Sequence, residues 1–184
     1  MDKGGGYVDA SNTEEQLLSI YREHYLDVYR FIISFTHTQD EAEDLTQEVF
    51  VRAVRSYKQF KKKSQIKTWL FSIAKNVAID HVRKASRKRQ LQHVLLYFSQ
   101  QKSTRIEEEI EKKEEFESIQ KELMKLKKTY RMVVILRVIH QFSVRETAEI
   151  MNWSETKVKV TYHRAIQKLK EQLLLKTELE VWSK

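Results

Sequence analysis

Leu17, Tyr21, Tyr25, Val28, Ile32 and Phe35 recur at intervals of three and four, the repeat of a helix with one apolar face, and they predict a helix from about Thr13 to Phe35. Leu45, Val49, Ala53 and Tyr57 repeat the interval and predict a second helix; Trp69, Ile73 and Val77 predict a third. Three such faces suffice for one shared core. Between the second and third, Lys58–Gln65 reads KQFKKKSQ, too polar and too densely like-charged to be packed inside, and is predicted to be a loop. From Ala85 to about Glu107 the text turns basic and glutamine-rich around a short apolar island, and reads as a tether, partly helical at best.

A second block begins with Phe116, Ile119, Leu123 and Leu126 and continues into the apolar run Val133–His140. Ser143 and Glu146 have the spacing of a capping box, in which hydroxyl and carboxylate each satisfy an orphan backbone N–H at a helix start. Asn152 tolerates the left-handed conformation of a tight turn, and Ser154 can cap the helix that follows. In that last helix Val158, Tyr162, Ala165 and Leu169 share an apolar face, while Lys157, Lys159, His163, Arg164 and Lys168 lie elsewhere. This is helix, short turn, basic helix, the arrangement that places a second helix in the major groove of DNA.

Composition supports an all-α fold. The 184 residues include no proline, and the three glycines are clustered at Gly4–Gly6, so the usual punctuation of strands and turns is missing. With 41% hydrophobic residues the chain suits two small helical domains joined by a flexible linker. The expected boundaries are a disordered tail over 1–12, a first domain over 13–86, a linker over 87–112, a second domain over 113–175 and a tail over 176–184. The absence of cysteine excludes a disulfide framework and thiolate metal ligands. No apolar run approaches the roughly 20 residues needed to span a bilayer, and the opening MDKGGGYVDASN lacks the apolar centre of a signal peptide, so a cytoplasmic protein is expected.

The formal charge of +8 points to an anionic partner only once its distribution is seen. Arg52–Arg89 contains thirteen lysines and arginines against a single acid, Asp80, whereas Glu107–Glu122 contains eight glutamates against three lysines. A focused basic patch gives sequence-independent affinity for phosphates through counterion release. Aromatics beside it can stack on unpaired bases, and Phe60, in the predicted loop, is the one placed to do so. Trp69 and Phe71 fall inside an apolar helical pattern and read as packing residues.

The stretches DEAEDLTQEVFVRAVRSYKQF and IKTWLFSIAKNVAIDHVRK, followed by FSVRETAEIMNWSETKVKVTYHRAIQKLK, resemble an extracytoplasmic-function sigma factor of the sigma-70 superfamily. The resemblance spans about Leu17 to Leu173. It implies a promoter-specificity subunit of bacterial RNA polymerase, with a region 2 helical bundle in the first block and a region 4 helix-turn-helix in the second. It assigns core polymerase binding to Asp44, Leu45, Gln47 and Glu48. Contact with the melted non-template strand of the -10 element falls to Phe60, Lys61, Lys62, Lys63, Ser64, Lys67, Lys75, Asn76, Arg83 and Lys84. Contact with the -35 duplex falls to Lys157, Lys159, Val160, His163, Arg164 and Lys168. An anti-sigma partner, membrane-anchored in many members, is implied as well; a cofactor, a metal or a small-molecule substrate is not. Two positions depart from the family pattern: Thr46 stands at a usually aliphatic site, and Ser154-Glu155-Thr156-Lys157 replaces the common proline and Gly-Thr opening of the recognition helix.

Two other readings compete. A helix-turn-helix regulator acting without polymerase would need a dimerising segment, and the acidic stretch around residues 107–115 lacks a sustained heptad. A metal-dependent nucleic-acid hydrolase would need more than Asp80 and His81, which as helix neighbours point about 100° apart. The chain is therefore expected to have no enzymatic activity.

Overall fold

The structure is a computed structural model that describes residues 10–36, 38–60, 64–96 and 122–182. Among the described residues every regular element is helical. The chain divides into two compact units, Met1–Val77 and Ala78–Lys184.

The first unit is built on α1 (Ala10–Ile33), α2 (Gln39–Ser56), a 3₁₀ turn (Tyr57–Gln59) and the opening turns of α3 (Ile66–Leu96). The α1–α2 turn is short because α2 starts sharply. The Thr38 hydroxyl accepts from the Glu41 backbone N–H at 3.2 Å, and Asp40 and Glu41 place negative charge on the first turn. Val28, Phe31 and Ile32 of α1 and Ala42, Val49, Phe50 and Ala53 of α2 are all buried, with Phe50 against the rings of Tyr21 and Tyr25 of α1. From α3 the buried set is Leu70, Phe71, Ala74 and Val77, with Phe71 edge-on to Phe31 at 5.4 Å between centroids. The inward stripe of α3 is thus displaced from the expected one: Val77 lies on it, whereas Trp69 and Ile73 are only half-buried. The run Trp69-Leu70-Phe71 is apolar on every side, so periodicity could not select its inner face.

Thr46 is fully buried, and its hydroxyl donates to the Ala42 carbonyl at 2.6 Å. Bonding back to its own helix lets a polar residue occupy an aliphatic position without leaving a buried donor unsatisfied.

In the second unit a helical turn over residues 122–125 precedes α4 (Lys128–Val134), which runs into a π-helical turn (Ile135–Ile139); α5 (Val144–Met151) and α6 (Glu155–Trp182) follow. Leu123, Leu126, Val134 and Ala165 form a buried cluster flanked by Tyr130, Ile166 and Leu169. Arg131, largely buried, donates to the Met124 carbonyl at 2.6 Å and so ties the 122–125 turn to α4. At the π-helical turn the His140 N–H reaches back to the Ile135 carbonyl at 3.1 Å, spanning one residue more than an α-helical bond. Here the apolar run divides: Val133–Leu136 are buried, and Val138 and Ile139 are exposed.

The expected helix-turn-helix signals are realised. Both hydrogen bonds of the Ser143–Glu146 capping box form, at 3.1 and 2.8 Å. Asn152 adopts φ 54°, ψ 52° and ends α5, and the Ser154 hydroxyl accepts from the Lys157 N–H at 3.3 Å to start α6. Helix α3 continues to Leu96 within the stretch read as a tether, and α6 continues to Trp182, past the expected start of a tail. Phe116 and Ile119 lie outside the described residues.

Candidate nucleic-acid interface

Helix α2 presents its polar residues outward. Asp44 and Gln47 are exposed, Leu45 is half-buried, and Glu48 is held by Arg52 one turn on, at 2.5 Å. The same helix, with α1, lines an apolar groove built from Leu17, Leu18, Tyr21, Phe50 and Val54, with Glu14 at its edge. Sequence patterning missed this groove, because Leu17 and Tyr21 were counted toward the core.

Around the basic loop, Phe60 is one of three packed rings, 4.9 Å from Trp69 and 6.4 Å from Tyr57 between centroids. Tyr57 and Trp69 also meet, at 6.2 Å, and the Tyr57 hydroxyl donates to Gln16 of α1 at 2.7 Å. Trp69 is therefore a packing residue, as the pattern predicted, but it packs against the base of the loop rather than in the buried core. Lys61, Lys62 and Lys63 lie outside the described residues. Ser64 is half-buried. Lys67, expected to face phosphates, makes an ion pair with Asp27 of α1 at 2.7 Å, a partner forty residues away that no local pattern singles out. Lys75 donates to the neighbouring Asn76 side chain at 2.7 Å. Arg83 and Lys84 are exposed, two turns farther along α3.

On α6 the expected basic residues do not form one surface. At about 100° per residue, Lys157, Arg164 and Lys168 fall within about 40° of one another and make a single stripe, with Val160 on its outer side. Lys159 and His163 lie on the opposite flank, across the exposed edge from that stripe. Val158 and Ala165 face inward with no exposure, and all six expected contact residues on this helix are exposed. Lys168 pairs with Glu171 at 3.0 Å, and the Lys157 ammonium sits 4.2 Å from the centroid of the Trp153 ring. Trp153 belongs to the turn and was not expected to bear on the interface.

Among the described residues no group of three or more histidines and carboxylates is placed to hold a metal ion. None of their helices is long and apolar enough to cross a membrane.

Comparison with known proteins places this geometry. Residues 20–88 match Sigma-70 region 2, and residues 116–169 match Sigma-70, region 4. The chain is 35% identical over 173 residues to the ECF RNA polymerase sigma factor SigX of Bacillus subtilis, covering 90% of this chain and 88% of that one. The chain belongs to the extracytoplasmic-function sigma factors. This sigma factor is also 35% identical over 155 residues to ECF RNA polymerase sigma factor SigM of the same organism, covering 82% and 91% of the two chains. Among solved structures it resembles the sigma factor RpoE from Bartonella quintana, determined in complex with the anti-sigma factor NepR, with TM-score 0.68, 26% identity and coverage of 89% and 98%. It shares its fold with CnrH, determined in complex with the cytosolic domain of CnrY, at TM-score 0.67, 23% identity and coverage of 89% and 91%. In this sigma factor the region 2 match contains the α2 surface and the basic part of α3, and the region 4 match contains α6 from Lys157 to Lys168.

Proposed function

We propose that this sigma factor binds core RNA polymerase through Asp44, Leu45, Gln47 and Glu48 and directs promoter opening through its two basic surfaces. The separation of charge by helix carries the reading: α2 offers acids and an amide beside an apolar groove, while α3 and α6 offer cations. A polymerase-docking surface and a DNA-docking surface need opposite chemistry, and one protein bridging both must keep them on different helices. Lys61, Lys62, Lys63, Ser64, Lys75, Asn76, Arg83 and Lys84 hold the melted -10 strand. Phe60 gives that strand a face to stack on, braced by Trp69 and Tyr57, since base–aromatic stacking accepts any base. Lys67, already paired with Asp27, contributes through its neighbours. Lys157, Lys159, Val160, His163, Arg164 and Lys168 read the -35 duplex.

The protein works in the cytoplasm as an initiation factor with no catalysis of its own, and an anti-sigma protein is its natural inhibitor, supported by the complex in which its relative RpoE was solved. A regulator acting without polymerase leaves the α2 surface unexplained.

Replacing Gln47 and Glu48 together by alanine tests the docking assignment. The fold should survive, because Gln47 is exposed and Glu48 pairs with Arg52 of its own helix, whereas co-elution with core polymerase on size exclusion should weaken. Undiminished co-elution removes α2 as the docking surface.

A further inference from the structure

Trp153 is set by the turn rather than by a core. Asn152 in the left-handed conformation swings the chain round, and the Trp153 N–H then bonds the Ala148 carbonyl at 2.9 Å, which fixes the Trp153 backbone in the turn and leaves the residue half-buried. Four residues on, the Lys157 N–H bonds the Ser154 hydroxyl while its ammonium lies over the indole at 4.2 Å. A lysine is normally the least fixed of side chains and loses rotamer freedom whenever it is ordered at an interface. Lys157 is held at both ends before any partner arrives. Tryptophan gives the strongest such attraction for a cation.

Lys157 is also the first member of the stripe that Arg164 and Lys168 continue, about 10 and about 16 Å up the helix axis at 1.5 Å per residue. Lys168 is engaged with Glu171, so the ends of the stripe differ: one cation is held by an acid and the other by a neutral ring that leaves its charge uncompensated.

We propose that Trp153 is a positioning residue for -35 recognition, holding the Lys157 ammonium in line with Arg164 so that it meets a phosphate of the duplex with its charge intact. The inference rests on α6 being the helix that enters the -35 element.

The test uses the full chain assembled with core polymerase, binding a labelled promoter duplex over a range of salt concentrations. The variants are Trp153→Leu, Trp153→Phe, Lys157→Ala, the Trp153→Leu/Lys157→Ala pair and Arg164→Ala. Leucine keeps an apolar filling in the turn but removes the ring, and phenylalanine restores a weaker ring. Trp153→Leu is expected to weaken binding about two- to fivefold, the range of an exposed cation–ring contact. Trp153→Phe should recover most of that loss. Lys157→Ala should lower the slope of log affinity against log salt by about one, the mark of a lost phosphate contact. The paired variant should bind no worse than Lys157→Ala alone, because the ring acts only through the lysine. A Trp153→Leu loss that persists in the Lys157→Ala background overturns the proposal, as does wild-type binding by Trp153→Leu. If Lys157→Ala is silent while Arg164→Ala weakens binding, the proposal fails and α6 still reads the promoter. If both are silent, the placement of α6 on the -35 element fails with it.

Discussion

His24 shows what a single residue can cost a small helical core. It is 5% exposed, its Nε2 has no hydrogen-bond partner among the described residues, and the Glu23 carboxylate is 3.8 Å away. Burial pushes its pKa below the ordinary imidazole value of about 6.5. Glu23 opposes that shift, Lys67 of α3 adds to it and Asp27 opposes it. The fold therefore holds the neutral ring, and the stability that depends on neutrality is complete above about pH 6.5 and is lost as the pH falls below it toward the lower folded value. The urea midpoint should drop between pH 7.5 and pH 5.5, and His24→Leu should flatten that drop; parallel pH profiles for the two proteins would contradict the assignment. The sequence placed Val28 and Phe35 correctly but not His24, because a histidine on an apolar face has no pattern of its own. Lys67 and Phe60 teach the same lesson. Asp27 pairs with the one and Trp69 packs against the other, tertiary contacts that no local spacing encodes.

Elements were legible where their signals are local. The Ser143–Glu146 box, the Asn152 turn and the Ser154 cap each depend on residues within four positions of one another, and each forms as read. The inner face of α3 and the break in the run Val133–His140 were illegible, since a segment apolar all round carries no phase. Asn152 gives a direct check on the turn. A residue with a Cβ pays roughly 1 kcal/mol to hold φ 54°, a cost that asparagine lessens by local hydrogen bonding and glycine avoids. Asn152→Ala should lower stability by about 1 kcal/mol, and Asn152→Gly should leave it within about 0.5 kcal/mol, both read from chemical denaturation. Equal losses in the two variants would mean that the Asn152 side chain, and not its backbone angle, holds the turn.

Across the whole molecule the two family matches cover most of the two helical blocks that the apolar pattern sets on either side of the polar stretch from Ala85 to about Glu107, and the experiment that engages both blocks is transcription itself. Arg164 is exposed, lies on the Lys157 stripe and points away from Val158 and Ala165. A bidentate base contact is worth about 1 to 3 kcal/mol of discrimination, whereas a phosphate contact weakens all sequences alike. Run-off transcription by Arg164→Ala on promoters singly substituted in the -35 element should show relaxed preference at one or two positions. A uniform loss would mark a phosphate contact instead, and full activity on every template would remove Arg164 from the interface. The length of the chain is under constraint as well. Adding one residue inside a regular helix turns everything beyond it by about 100° and carries buried side chains into water. The π-helical turn at Ile135–Ile139 already accommodates one extra residue, with Val138 and Ile139 exposed. It is the place where a chain one residue shorter could keep the same core, with the loss absorbed before α5 and α6 begin.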